Sequence, residues 1–309
     1  MILTVTLNPA VDKTYRTGEL FCGRVNRMRS VTNMPGGKGI NVSRILRQYG
    51  RPVTATGFLG GFPGKWIEER LCEQGIRSAF VETGEETRSS MNIIADNGYV
   101  TEILEPGPTI REEWLTELLN RYEWLAEEAE AVVLSGSAAP GVPEDIYARL
   151  IRIASDKGKK VFLDTSGVLL AEGIRQKPFL IKPNRQELEY VIGHGLKTLE
   201  ELKEAACLLR EGGIELVAVS LGRKGMLLAG EDGCMYAAAP KVKTENTVGC
   251  GDSAVASMVM SCMDGLPQEE ILRRATAVSA ANASTFESGN VPQELAERLY
   301  QEIAVQRLD

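Results

Sequence analysis

The stretch Asn246-Thr247-Val248-Gly249-Cys250-Gly251-Asp252-Ser253 sets two glycines, one residue apart, directly before a carboxylate. The small-residue run Ala254-Val255-Ala256-Ser257-Met258 that follows reads as a buried helix, which places Gly249 to Asp252 at its N-terminus. Free backbone N–H groups and the helix dipole at such an end hold anionic oxygen. A carboxylate at the same place can take a proton from a hydroxyl as it attacks phosphorus, while the amides meet the charge that develops on the transferred group. Taken alone, Asp252 serves equally as a helix N-cap, a role aspartate favours. A second constellation is Pro35-Gly36-Gly37-Lys38-Gly39-Ile40-Asn41-Val42. Its three glycines let the backbone approach a ligand, ahead of an amphipathic helix with Val42, Ile45, Leu46 and Tyr49 on one side. The spacing is neither a Walker A loop nor a dinucleotide fingerprint, and by itself the stretch is a glycine-rich turn into a helix.

Other chemistries are disfavoured. The single histidine, His194, lies between Gly193 and Gly195 and reads as a loop residue, which argues against a Ser-His-Asp or Cys-His mechanism. The six cysteines stand singly with no C-x-x-C pair, so no zinc cluster is available and reduced thiols are expected. A net charge of -7, from 35 basic and 42 acidic residues, disfavours nucleic acid as a partner. An anionic metabolite needs only a few converging Arg and Lys. No apolar run approaches the length needed to cross a bilayer, and Met1 to Leu7 reads as a strand rather than a leader, so a cytoplasmic location is expected.

The elements that must position these residues alternate between strand and helix. Ala131 to Leu134 is a short apolar run, followed by a helical pattern over 143–155, a strand at Lys160 to Asp164 and another at Phe179 to Ile181. A helix over about 198–210 and a β-rich run over 214–219 come next. This order predicts βαβ units and a mostly parallel sheet covered on both faces. The first third differs: residues 14–34 alternate polar and apolar, and Asn97-Gly98 separates two β-rich runs, a hairpin signal. A small strand-built appendage from two separate segments is predicted. From Asp252 onward the chain reads as mainly helical.

Gly36-Gly37-Lys38-Gly39-Ile40-Asn41 and Thr247-Val248-Gly249-Cys250-Gly251-Asp252 occur in order with Asn8-Pro9-Ala10-Val11-Asp12 and Lys182-Pro183-Asn184-Arg185-Gln186-Glu187. Together they resemble the ribokinase-like (PfkB) carbohydrate kinases over essentially the whole chain, most closely the 1-phosphofructokinase and tagatose-6-phosphate kinase branch. The resemblance implies one kinase domain over 1–309 with a three-layer α/β/α body, and a β-sheet lid inserted from about 12–34 and 88–106. It implies ATP-dependent phosphorylation of a ketohexose monophosphate, fructose 1-phosphate or tagatose 6-phosphate, to a bisphosphate. Asp252 would be the general base, with Gly249, Cys250 and Gly251 forming the anion hole. Asp12, Gly37 and Asn41 would hold sugar hydroxyls. Lys38, Arg27 and Arg88 would face the phosphate already on the substrate, as a dianion on an acidic protein requires; Arg24 and Arg29 stay open. Ser137, from Ser135-Gly136-Ser137, would line the cleft.

On the nucleotide side the resemblance implies Lys182, Ser220, Gly222 and Gly225 near ATP and Asn282 near the adenine. Asn184 and Glu187 would organise Mg2+ largely through water, which suits an ion that keeps its hydration. Outside this context they would be a helix-start Asn and an exposed Glu. K+ use and a homodimer through the lid are further implications. Three departures stand out: Cys250 where Ala or Ser is commoner, Glu245-Asn246-Thr247 in place of an Asp-Thr pair, and the looser Ala138-Ala139-Pro140. Two other readings remain. One is a kinase of an unphosphorylated sugar or nucleoside, which would leave Lys38, Arg27 and Arg88 nothing to bind. The other is a sugar-phosphate sensor, which could dispense with the acid at 252 and the Asn184/Glu187 pair.

Overall fold

The computed structural model describes residues 1–308. The first third contains β1 (Ile2–Thr6), β2 (Ala10–Thr17), β3 (Ser30–Gly36), α1 (Lys38–Gln48), β4 (Val53–Gly60), α2 (Gly61–Glu73), β5 (Arg77–Ser78), β6 (Val81–Thr83), β7 (Arg88–Ala95) and β8 (Val100–Leu104). The middle follows with α3 (Glu112–Glu128), β9 (Ala131–Ser135), α4 (Ile146–Asp156), β10 (Lys160–Asp164), α5 (Gly167–Ile174), β11 (Leu180–Ile181), α6 (Arg185–Ile192) and α7 (Leu199–Glu211). The chain ends with β12 (Leu216–Ser220), β13 (Met226–Gly230), β14 (Gly233–Ala237), α8 (Cys250–Met263), α9 (Gln268–Ala283), α10 (Gln293–Glu302) and β15 (Val305–Leu308).

An eleven-stranded sheet runs in the order β15-β14-β13-β12-β11-β10-β9-β1-β4-β5, with β6 beside β4. From β12 to β5 the neighbours are parallel, and β13, β14 and β15 extend one edge antiparallel. Strand residues alternate between two cores. Val132 and Leu134 join Tyr122, Leu150 and Leu202 of α3, α4 and α7. Ala131 and Val133 join Ile45, Met258 and Leu272 of α1, α8 and α9. Burial on both faces explains why 131–134 is apolar throughout instead of alternating. The result is the three-layer α/β/α body expected from the sequence. Helix α8 is buried from Asp252 to Cys262, because it lies between α1 and α9 and touches β10; its Ala, Ser and Val side chains allow that close approach.

A second, four-stranded sheet has the order β3-β2-β7-β8 and takes its strands from the two segments anticipated. β2 pairs antiparallel with β3 and parallel with β7. The β7–β8 hairpin turns at Asn97-Gly98: Gly98 N–H donates to Ala95 O at 2.9 Å and Gly98 is left-handed at φ 86. From Asp252 onward the chain is mainly helical, as its sequence suggests, through α8, α9 and α10. The β13–β14 hairpin reverses the sheet direction just before it, and β15 closes the edge, a strand too short to show a pattern of its own. Among the described residues no helix is long and apolar enough to cross a membrane.

Candidate active site

The glycine-rich stretch at 36–41 joins the small sheet to helix α1. β3 ends at Gly36, where a Cβ would overlap the Asp12 carboxylate on the neighbouring strand β2. Gly37 then caps α1 at φ 104, a left-handed backbone that glycine adopts without strain. One turn on, Asn41 donates from Nδ2 to Asp252 Oδ2 at 2.8 Å. The two constellations read separately from the sequence therefore meet.

Gly249 is the N-cap of α8 at φ 85, so Cys250, Gly251 and Asp252 form the first helical turn with their amides at its open end. Asp252 is buried. Behind it lies a group absent from the expected set: Asp164, at the end of β10, with a fully buried side chain 3.3 Å from Lys38 Nζ and 3.2 Å from Lys182 Nζ. Lys182 sits beneath Gly251, whose missing Cβ would be 3.4 Å from its Nζ. Burial opposes the charge on Asp164, but Lys182 and Lys38 prevail and hold its carboxyl below the ordinary range. Lys38 is held above its ordinary value, chiefly by Asp164. Asp252 goes the other way. Burial pushes it up to about 6, with Lys38, the Asn41 amide and Lys182 opposing and Asp164 adding to the push. Asp12 is pushed up to about 7, first by burial and also by the Asp252 charge, while Arg88 and Arg44 pull it back.

A cavity of about 830 Å³ opens beside the α8 N-terminus. Cys250 and Gly251 line one side, and Ser220, Gly222 and Gly225 line another, so the expected nucleotide loop and anion hole share one space. Gly225 has φ 106, and a Cβ there would overlap the Ala237 carbonyl, which is why the loop after β12 requires glycine. The segment 239–244 and Ser279 and Ala280 of α9 complete the walls. Sequence reading missed these, since an irregular segment and a small-residue helix face carry no signal of their own.

The remaining residues divide. Asn282, expected beside the base, is buried and donates to Val248 O at 3.1 Å and Cys250 Sγ at 3.6 Å, bracing the anion-hole loop; its neighbours Ser279, Ala280 and Ala283 face the cavity instead. Asn184 and Glu187 form a reciprocal capping box at the start of α6: Glu187 N–H donates to Asn184 Oδ1 at 2.9 Å and Asn184 N–H donates to Glu187 Oε2 at 2.8 Å. Asn184 also bridges to Ser220, so the box stands next to the nucleotide loop. Lys38 is ion-paired with Asp164, although its side chain keeps 41% of its exposure. Arg88 donates to Asn8 O at 3.2 Å and Glu105 O at 3.0 Å and lies beside Asp12. Arg27 is exposed in the β2–β3 connection, and among the described residues it makes no ion pair. Arg29 pairs with Asp96 at 2.7 Å, and Arg24 lies over the Phe21 ring. Ser137 is exposed just past β9, next to Gly136. A further unanticipated residue is Arg44 of α1, buried, with Nη1 2.7 Å from Ser288 O.

Solved structures resemble this arrangement along the entire chain. A Thermotoga maritima protein described as a possible 1-phosphofructokinase matches with a TM-score of 0.91 at 31% identity, covering 100% of this chain and 99% of that one. Phosphofructokinase-2 from Escherichia coli, in complex with potassium, matches at 0.90 and 28%, covering 97% and 98%. The tetrameric inhibited form of that enzyme matches at 0.88 and 28%, with the same coverage. The sequence profile of the pfkB family carbohydrate kinases matches residues 5–294. Two glycine-rich stretches joined by the Asn41–Asp252 hydrogen bond, a fold match along the chain and a family match over residues 5–294 lead to one assignment: the chain belongs to the pfkB family of carbohydrate kinases.

Proposed function

We propose that this sugar kinase transfers the γ-phosphoryl group of ATP to a hydroxyl of a ketohexose monophosphate, giving a bisphosphate. One observation carries the reading: Cys250 and Gly251, at the open end of α8, line the same cavity as Ser220, Gly222 and Gly225, and Asp252 follows them in the first turn, its carboxylate held by Asn41. The nucleotide would lie along the cavity with its terminal phosphate at the α8 N-terminus. Asp252 takes the proton of the attacking hydroxyl, which reaches it from the side of Lys38, Asp12 and Asn41. A pKa of about 6 leaves Asp252 ionised at neutral pH yet more basic than an ordinary carboxylate. Asp164 fixes Lys38 and Lys182 under the helix end, where their charge offsets that of the transferred group.

The donor set suits Mg2+ held through water: Glu187 gives one oxygen to its own helix cap, and among the described residues no cluster of three or more His, Cys, Asp or Glu forms a direct cage. Bound there, the ion would neutralise phosphate charge. The four-stranded sheet would act as a lid that excludes water from the acceptor. Val31, Val100, Ile103 and Leu104 are exposed on that sheet, which supports a homodimer formed through it. K+ dependence, as the potassium complex of the Escherichia coli enzyme suggests, and a cytoplasmic location belong to the same reading.

Arg88 beside Asp12 supports a phosphorylated substrate, with Lys38 and Arg27 as further cations. The observation favouring a neutral sugar is that Lys38 is already ion-paired and Arg27 stands out in solvent. An ATP-coupled screen of fructose 1-phosphate, fructose 6-phosphate, tagatose 6-phosphate, ribose and adenosine decides between them. Turnover confined to ribose or adenosine would overturn the proposal.

A further inference from the structure

The loop 284–291, between α9 and α10, touches both the small sheet and the anion hole. On one side the Arg16 guanidinium of β2 lies 3.5 Å from the centroid of the Phe286 ring. Arg16 is exposed, and among the described residues its side chain makes no ion pair; its guanidinium packs on the ring. Phe286 keeps 39% of its exposure, an apolar ring held out at the surface rather than turned into the core. On the other side Phe286 O accepts from Asn246 Nδ2 at 2.9 Å, and Asn246 Oδ1 accepts from Val248 N–H at 3.0 Å. The same loop packs directly on the α8 cap, since a Cβ on Gly249 would lie 3.0 Å from Gly289 N and 3.4 Å from Ser288 Cα. Arg44 clamps the base through Ser288 O, and it rises from the helix that carries Asn41. Thr285 Oγ1 contacts Asn282 O, Glu287 O and Asn290 O, bracing the loop internally.

We propose that this loop is a relay coupling the position of the small sheet to the anion-hole backbone, with Arg16 and Phe286 as its contact with the sheet and Arg44 as the positioning residue at its base. The relay rests on the reading of 249–252 as the phosphoryl-receiving end only for its catalytic consequence; the mechanical coupling stands on the contacts alone. A loop fixed at both ends and braced within moves as a body. Docking of the sheet onto Phe286 is then felt at Asn246 and Gly249, and loosening it frees the Val248 to Gly251 amides. Through that path, acceptor capture under the sheet and completion of the anion hole become one event.

The test is hydrogen exchange of the 246–251 backbone in the ligand-free protein, for Arg16→Ala, Phe286→Leu, their double variant and Arg16→Lys. Loss of a guanidinium–ring contact is expected to speed exchange there by ~3–10-fold in each single variant. The double variant should show no more than either single one, and Arg16→Lys, which keeps a cation over the ring, should stay near wild type. Unchanged exchange at 246–251 in Arg16→Ala, or additive effects in the double variant, overturns the relay. In turnover the same single variants should raise KM for the acceptor by ~3–10-fold and lower kcat by a similar factor, as the freed amides hold the transferred group less well, and ADP should form in excess of phosphorylated sugar. An unchanged kcat would refute the catalytic part. A wild-type protein inactive on every sugar would instead defeat the functional reading, while the exchange result still decides the coupling.

Discussion

Replacing Asp252 by asparagine separates chemistry from stability, because the carboxylate is held in a place that disfavours its charge. Its carboxyl is displaced from the ordinary 3.8 to about 6. Folding therefore binds its proton more tightly than the unfolded chain does, so this group favours the folded state at low pH. That benefit is lost as pH rises from the unfolded value through about 6. Above that point the buried charge destabilises the fold by about 3 kcal/mol. Asparagine keeps an acceptor for Asn41 Nδ2 and removes the charge. At pH 7.5 the variant should melt higher by roughly 5 °C, with the gap closing near pH 4. Turnover in an ATP-coupled assay should fall at least about a hundredfold, the scale of a lost general base. Thermal melts across pH 4 to 8 and initial rates at saturating ATP check both halves. Near-normal turnover, or a variant less stable than wild type at pH 7.5, would refute the reasoning.

Three further outcomes follow from the same geometry. kcat/KM for the acceptor should climb with pH through the interval from about 6 to about 7, since Asp252 must be ionised to take the hydroxyl proton and Asp12 holds its hydroxyl best as a carboxylate, and a flat profile there would contradict the assignment. Arg88→Ala should raise KM for a phosphorylated acceptor by about tenfold or more and affect free sugars less, only through the lost pull of Arg88 on Asp12; an equal loss on both would mean that Arg88 does not meet the substrate phosphate. Gly249→Ala places a side chain at φ 85 against Gly289. It should destabilise the protein by about 1–2 kcal/mol and lower kcat by about tenfold or more as the anion hole shifts. Denaturant melts and steady-state rates measure it, and an unaffected variant would argue against a strict cap geometry.

Much of this site could be read before any coordinates, for particular reasons. Asp252 and Asn41 announced themselves because glycines that give a backbone room leave a local mark. The alternation of strands and helices was equally plain, since strands buried on both faces must be apolar throughout. Asp164 was invisible: it reads as the polar end of a strand, and only the parallel placement of β10 beside β9 brings it to Lys38, 126 residues away in the chain. Arg44 was hidden likewise, as a charged residue on a helix that looks amphipathic yet is buried on that side too. Asn282 could be recognised as important but not located, because its role depends on which face of α9 meets the 246–250 loop. The short strands β5 and β15 hold too few residues for any periodicity to emerge.

The hydrogen bond from Asn41 to Asp252 bridges 211 positions of the chain. A polypeptide emerging from the ribosome carries Asn41 early and Asp252 only near the end of synthesis. Until both are present and β1 has been flanked by β4 and β9, the two glycine-rich stretches cannot meet. Unfinished or truncated chains thus lack the contact on which the proposed transfer rests.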